Sequence, residues 1–334
     1  MSHAMTWYQL SDTGMSALTP SKPSCSSTSS LLPNDSISPN LRAAAYGDGF
    51  FSTMGVHKAQ LLWQSYHQAR LRGHCQALQL TLSTQVERQL WREIRQFATT
   101  IGDGLIKIIL SRPAQSLRGY AYSTQATDNE ALIWIGVMKT APLAQQTAQF
   151  LSGDLDDGQS LGQQVLQQSP IIAQCLQSQL ASLPQPLAGL KTLNRLDGVM
   201  IAGELQRHKQ HNPELAEGLV SDMNGNWVEG VMSNFFYRLK PGLATEGNDA
   251  ASDVWYTPPI EQSGVRGVMR QVILDQLAKL GAPAQLRYLR NEDLNQLEAL
   301  FFCNAVRGVV PVQQLWFQDE RFQLSLAPFQ YNIK

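Results

Sequence analysis

One lysine gives the first chemical signal. Lys191 stands in PLAGLKTLNRL, with no charged residue in the eight positions before it. An ammonium in apolar surroundings loses hydration, so its neutral form is favoured and its pKa falls. A neutral amine attacks carbonyl carbon, which is how lysines form Schiff bases. On its own, a lysine beside a helix start is more often an ordinary solvated side chain, so the neighbouring motifs matter. In His67-x-x-Arg70-Leu71 the spacing puts the histidine and the arginine on one helical face. A planar guanidinium offers two parallel donors suited to a phosphate, although a lone arginine there would read as surface. Glu229, in WVEGVMSNFF, reads on its own as an exposed strand glutamate. Gly264, Val265 and Arg266 precede a helix whose first N–H groups could accept an anion. Tyr46-Gly47-Asp48-Gly49 reads as a turn before a strand.

These residues need a scaffold of some size. A chain of 334 residues exceeds one ordinary core and points to two domains. At 43% hydrophobic and 16% charged residues it is globular. With 26 basic and 27 acidic residues it lacks the charge excess of a nucleic-acid surface. No apolar run reaches the ~18–20 residues of a membrane span, and no signal-peptide pattern opens the chain. The opening MSHAM reads as a cloning remnant before a natural Met5. Cys25, Cys75, Cys175 and Cys303 show no CxxC spacing, which fits reduced thiols and a cytoplasmic protein. His208 and His211 read as a solvated helix end rather than metal ligands, and GDLDDG lacks EF-hand spacing; no metal is expected.

The elements follow in order. Residues 1–40 form an N-terminal segment, and from residue 10 its Ser, Thr, Pro and Asn content reads as an exposed or disordered loop. Residues 41–145 read as a small α/β domain. It holds a helix in LLWQSYHQARLRGHCQALQL, with Leu62, Tyr66, Ala69 and Leu78 on its inner face, and strands at LIKIILS and ALIWIGVM. Residues 146–162, rich in Gln, read as an interdomain linker. Residues 163–334 read as the larger domain, opening on a short strand at QVLQQS. There NRLDGVMIAGELQRH is a helix with Asn194 as N-cap and Asp197 in a capping-box place. EGLVSDMNGNWVEGVM is a hairpin turning at Asn224-Gly225. GVMRQVILDQLAKLG is a second helix, entered through Gly264 and Gly267.

Together the segments resemble the fold-type IV pyridoxal-phosphate enzymes, the class IV aminotransferase family. The motifs run in family order from about Leu41 to Val312: YGDG, HQARL, GLKTLNRL, WVEGVMSNFF, SGVRGVMR and FFCNAVRGVVPV. The resemblance implies an α/β fold of two domains, the larger with a barrel-like sheet. It implies pyridoxal 5'-phosphate bound to Lys191 as an internal aldimine, with the same lysine later moving protons. Arg70 would hold the cofactor phosphate and Glu229 the pyridine nitrogen, keeping it protonated so that the ring withdraws electrons. Gly264, Val265 and Arg266 would add phosphate donors, as would Asn304 and Ala305, where relatives often carry a threonine. Asn234 would be structural support near Glu229. Relatives are homodimers, so a homodimer is implied.

Three details resemble the aminodeoxychorismate lyases within this family. These eliminate pyruvate from 4-amino-4-deoxychorismate and leave 4-aminobenzoate, a folate precursor. Lys191 opens Lys-Thr-Leu-Asn-Arg-Leu, without the Gly-Gly-Asn-Tyr run of branched-chain aminotransferases. GVRGVMR is similar to the lyase pattern. SRPAQSLRGYAYST resembles the lyase Arg-Gly-Tyr-Ser loop, which makes Arg118 and Tyr120 the expected ligands of a substrate carboxylate. Ser52 and Thr53 stand where transaminases often carry an acid, which also leans towards the lyase. A D-amino-acid or branched-chain aminotransferase is the alternative. Two features depart from the family: the long Ser/Pro-rich segment, and Arg307 where lyases tend to be apolar. Arg307 reads as either a carboxylate ligand or a salt bridge at the rim.

Overall fold

Alternation along LIKIILS sets the first sheet: Ile106, Ile108 and Leu110 point to one face and are fully buried, while Lys107 and Ile109 point to the other. The computed structural model describes residues 5–11, 14–18, 40–143, 146–151, 164–241 and 254–329. The chain divides into two compact units. One comprises Met1–Pro142 with Lys191–Asn194, the other Leu143–Leu190 with Arg195–Lys334. The class is mixed α/β, as expected.

In unit 1, β1 (Thr6–Ser11), β2 (Gly14–Leu18), α1 (Arg42–Tyr46), β3 (Gly49–His57), β4 (Gln60–Leu61), α2 (Gln64–Ala77), α3 (Thr84–Ile101), β5 (Gly104–Ser111) and β6 (Leu132–Lys139) follow one another. The six strands form one antiparallel sheet in the order β2-β1-β6-β5-β3-β4. Helices α2 and α3 cover one face. Ser83 caps α3 by accepting the Val86 N–H, and Leu90, Trp91, Ile94, Ala98 and Ile101 turn inward at helical spacing. They pack with Phe50, Met54, Val56, Ile106 and Ile108 in one core. Each such fully buried side chain contributes roughly 1.5–3 kcal/mol relative to exposure.

Two expectations change here. The stretch from residue 10 is not loop throughout, because Gly14–Leu18 pairs with β1, which pairs with β6. Residues 19–39, including Cys25, lie outside the described residues, as does GDLDDG. The inner face of α2 is His67, Leu71, His74 and Cys75, whereas Ala69 is exposed. The apolar pattern was misleading because two histidines occupy buried positions and find partners there.

In unit 2, β7 (Gln146–Thr147), β8 (Leu166–Gln167), β9 (Ile171–Leu180), α4 (Leu196–His211), β10 (Leu215–Asp222), β11 (Trp227–Gly230), β12 (Asn234–Leu239), β13 (Tyr256–Thr257), α5 (Val268–Lys279), β14 (Gln285–Leu286), β15 (Leu297–Asn304), β16 (Gly308–Phe317) and β17 (Glu320–Gln323) follow. The path β11-β10-β9-β16-β15-β12-β13-β14 makes a mixed, barrel-like sheet, with parallel pairs at β9–β10 and β9–β16. The β10–β11 turn is built by the Asp222 carboxylate, which accepts the N–H groups of Asn224 and Asn226 at 2.9 Å each; only Gly225 in it takes a positive φ. Helix α4 is capped differently from expectation. Its N-cap is Arg195 with no side-chain cap, because Asn194 clusters with unit 1. Asp197 instead accepts the Gly198 N–H at 2.7 Å. No helix among the described residues is long and apolar enough to cross a membrane.

Candidate functional site

In unit 1 the lysine segment is added to β3 by backbone pairing. Phe51 N–H donates to Lys191 O and Leu193 N–H to Gly49 O, each at 3.0 Å. Phe50 and Thr192 form an antiparallel bridge between those bonds. The Lys191 N–H donates to Nε2 of buried His74 at 2.9 Å. Nε2 must therefore offer its lone pair, which places any single ring proton on Nδ1. The His74 ring meets Phe50 edge-on, centroids 5.0 Å apart. The Lys191 Nζ lies 4.6 Å from the Phe51 ring centroid, so the ammonium rests on an aromatic face.

The Tyr46–Gly49 motif seats this segment. Gly47 takes φ 64 and closes α1, and a Cβ on it would come within 2.8 Å of Asn194 Cβ. A Cβ on Gly49 would lie 2.2 Å from Leu110 O. Both positions thus need glycine for close approach. Asp48 Oδ2 accepts from Arg42 Nε at 2.7 Å and Arg112 Nε at 3.0 Å, fixing the turn between two buried guanidinium groups.

Helix α2 supplies Arg70 and His67. Burial alone pushes the Arg70 guanidinium down to about 10, so it stays charged at neutral pH while poorly hydrated. His67 is fully buried with Nδ1 2.9 Å from Ser52 Oγ. Burial first, and the Arg70 charge second, hold it well below the usual histidine pKa and hence neutral. Arg118 and Tyr120 lie on the exposed chain between β5 and β6. Tyr120 is 82% exposed, its C=O accepting from Arg42 and its ring 5.1 Å from that of Tyr46.

In unit 2, Glu229 on β11 is buried. Its Oε2 accepts the Val265 N–H at 2.7 Å and its Oε1 lies 3.3 Å from the Arg195 guanidinium. Gly264 takes φ 86, and a Cβ there would stand 2.9 Å from Val228 Cγ1 and 3.1 Å from Glu229 Oε2. Asn234 donates to Val265 O at 2.9 Å, with its Oδ1 tight against Gly267. The Arg266 N–H donates to Gly189 O at 2.9 Å. The Val265 and Arg266 amides are thus engaged within unit 2. The first-turn amides of α5, which has no side-chain cap, lack intrahelical acceptors as at any helix start.

Asn304 is spent on its own turn. Its Oδ1 accepts the Val306 and Arg307 N–H groups at 3.1 and 2.8 Å, and its Nδ2 donates to Met232 O at 3.4 Å. Ala305 lies buried at the head of that turn. Arg307 stands 4.0 Å from the buried carboxylate of Glu217, which favours the salt-bridge reading. Glu217 also accepts from Gly218 N, Val231 N and Ser233 Oγ; burial still raises its pKa. His208 lies 3.6 Å from Glu204, and no group of three or more potential metal ligands occurs among the described residues.

The order of motifs, the backbone-anchored lysine and the glycine cradle beside Glu229 agree with a family match. A family model described as amino-transferase class IV matches residues 49–315. The chain belongs to the class IV aminotransferases. Among curated relatives of this class IV chain, the aminodeoxychorismate lyase of Vibrio harveyi is 26% identical over 302 residues, 89% of this chain and 93% of that protein. The branched-chain-amino-acid aminotransferase of Escherichia coli K12 is 26% identical over 130 residues, 39% of this chain and 37% of its own. Among solved structures, the 4-amino-4-deoxychorismate lyase of Pseudomonas aeruginosa has a TM-score of 0.63 at 27% identity, covering 89% of this chain and 93% of that one. The Escherichia coli branched-chain aminotransferase shares the fold, with a TM-score of 0.64 at 16% identity over 88% and 85%.

Class IV enzymes are pyridoxal-phosphate-dependent, and pyridoxal 5'-phosphate is the cofactor here. The residues present suit it. A primary amine is fixed by its backbone on an aromatic face, a desolvated guanidinium can meet a phosphate, and a buried carboxylate lies against a glycine that leaves no room for a side chain. Three supporting residues were not singled out from the sequence. His74 is seven positions after His67 on the same helix, and that periodic pair was the available signal. Arg195 was read only as part of Leu-Asn-Arg-Leu. Lys107 was visible as one charge inside an apolar strand.

Proposed function

We propose that this enzyme is a 4-amino-4-deoxychorismate lyase, producing 4-aminobenzoate and pyruvate for folate synthesis as a cytoplasmic homodimer. The observation that carries the reading is the extent of likeness: sequence identity to lyases runs over nine-tenths of the chain, whereas that to branched-chain aminotransferases covers 39% of it. The Lys-Thr-Leu-Asn-Arg-Leu and Gly-Val-Arg-Gly-Val-Met-Arg segments support it.

The proposed roles follow from the chemistry of each group. Lys191 holds the cofactor covalently through Nζ. Arg70 meets its phosphate as a paired donor, aided by Gly264, Val265, Arg266 and the Asn304–Ala305 turn. Because the amides of Val265 and Arg266 and the amide of Asn304 already have partners, α5 first-turn amides and the Ala305 N–H are the readier donors there. Glu229, as an anion, would hold the cofactor's ring nitrogen. Bound, the cofactor supplies the electron sink for a carbanion. Lys191, as a free amine, would take the ring proton beside the substrate nitrogen. The ring C–O bond to the enolpyruvyl group breaks, the methylene carbon of that group gains a proton from Lys191 or water, and pyruvate leaves. Aromatisation of the remaining ring drives the step. Arg118 and Tyr120 bind a substrate carboxylate.

A transaminase is the second reading, favoured by the branched-chain aminotransferase match. Incubation with 4-amino-4-deoxychorismate, scored for 4-aminobenzoate and pyruvate, separates the two. Absence of both products, together with turnover of amino acids and 2-oxoglutarate, rejects the lyase. Borohydride reduction followed by peptide mass should place the cofactor on Lys191; any other lysine rejects that role.

A further inference from the structure

The exposed chain between β5 and β6 carries Arg118 and Tyr120, and its own backbone does little to hold it. Among the described residues, no backbone–backbone hydrogen bond engages residues 116–122. A side chain from another element meets its carbonyls instead. Arg42, buried at the start of α1, donates from Nη1 to Ala121 O and from Nη2 to Tyr120 O, each at 3.0 Å. Its Nε reaches Asp48 Oδ2 at 2.7 Å. The same oxygen accepts from Arg112 Nε at 3.0 Å. Arg112, just past the end of β5, also donates to Leu78 O, Gln79 O and Asn129 Oδ1, and lies 4.0 Å from the Tyr122 ring centroid.

One carboxylate therefore joins two places. Asp48 stands between Gly47, packed against Asn194, and Gly49, whose C=O accepts the Leu193 N–H. Those two glycines seat the Lys191 segment. A guanidinium carries five donors in a fixed fork, and here the fork spans the Asp48 carboxylate on one side and two successive carbonyls on the other. A buried charge is costly unless it is paired and hydrogen-bonded, and these three bonds meet that condition. A second contact links the same two segments: the Tyr46 and Tyr120 rings lie 5.1 Å apart, with the Arg42 guanidinium 5.1 Å from the Tyr46 centroid.

We propose that Arg42 is a positioning residue: through Asp48 it holds the Arg118–Tyr120 loop in register with the Lys191 segment, and so sets how tightly substrate is bound. The effect on binding rests on the reading of Arg118 and Tyr120 as substrate ligands. Losing two hydrogen bonds from a charged donor is enough to lower the pinned fraction of an exposed loop by about tenfold or more.

Steady-state kinetics with 4-amino-4-deoxychorismate and limited trypsin cleavage after Arg118, both on the cofactor-loaded enzyme, test it. Arg42→Lys keeps a charge for Asp48 but has no fork to span two carbonyls. It should raise KM about tenfold, hold kcat within about twofold, leave the urea midpoint unchanged and speed cleavage after Arg118. Arg42→Lys combined with Arg118→Ala should have a KM no higher than Arg118→Ala alone, because Arg42 acts through the loop. Wild-type KM or wild-type cleavage in Arg42→Lys, or KM effects that multiply in the double variant, would overturn the proposal. A kcat that falls in step with the urea midpoint would mark a merely structural role and overturn it as well. The ligand reading fails separately, when Arg118→Ala leaves KM unchanged; cleavage then still decides whether Arg42 holds the loop. The lyase reading fails when wild type makes no 4-aminobenzoate, and KM for an amino-acid donor then takes the place of KM for 4-amino-4-deoxychorismate.

Discussion

Replacing His74 tests what holds Lys191 in place. The ring does two things: its Nε2 accepts the Lys191 N–H at 2.9 Å, and its edge packs on Phe50. His74→Phe keeps the packing and removes the acceptor. An N–H left without an acceptor at a buried site costs about 1–3 kcal/mol. That corresponds to a roughly 5–150-fold loss in the fraction of molecules holding the segment in register. His74→Gln does the reverse, keeping an acceptor oxygen and giving up a ring contact worth roughly 0.5–1.5 kcal/mol. Titrating each variant with pyridoxal phosphate, followed by visible absorbance, reads the anchored population; urea unfolding reads overall stability. His74→Phe should load cofactor markedly more weakly than His74→Gln. The reverse order would show that ring packing, not the hydrogen bond, places Lys191. Loading by His74→Phe equal to wild type would show that the segment needs neither.

Gly264→Ala should lower cofactor affinity and destabilise the protein by roughly 1–3 kcal/mol, because φ 86 is strained for alanine and its Cβ would press on Val228 and Glu229; unchanged affinity by the same titration would remove Gly264 from the cradle. His67 gives a pH prediction. Its folded pKa lies well below its ordinary 6.5, so the unfolded chain binds the proton first. The neutral ring's contribution is complete above pH 6.5 and is lost as pH falls towards the folded pKa. Urea midpoints from pH 7.5 down to 5 should decline in wild type, and His67→Phe should lose part of that slope. Equal slopes would mean that His67 is not kept neutral in the fold.

Much of the candidate site was legible along the chain because it resides in short motifs whose residue types carry their own reasons. The glycines at 47, 49 and 264 mark close approaches, and the lysine, arginine and glutamate suit a carbonyl, a phosphate and a ring nitrogen. Strands at LIKIILS and ALIWIGVM, and helices from Gln64 and Val268, were readable because periodicity is a local property. The tertiary structure decided the rest. Asn194 reads locally as a helix cap, yet pairing of its neighbours with β3 draws it into unit 1, and Arg195 takes the cap position. Gly14–Leu18 looks like loop by composition but is a strand, because β1 offers it an edge. The heptad spacing from His67 marks His74 but not its role, since its partner is a backbone N–H 117 positions away. Lys107 and Lys191 meet at one aromatic ring because β3 pairs with both of their segments. Residue type is written in the sequence; which distant group satisfies a buried donor is settled only when the sheet closes.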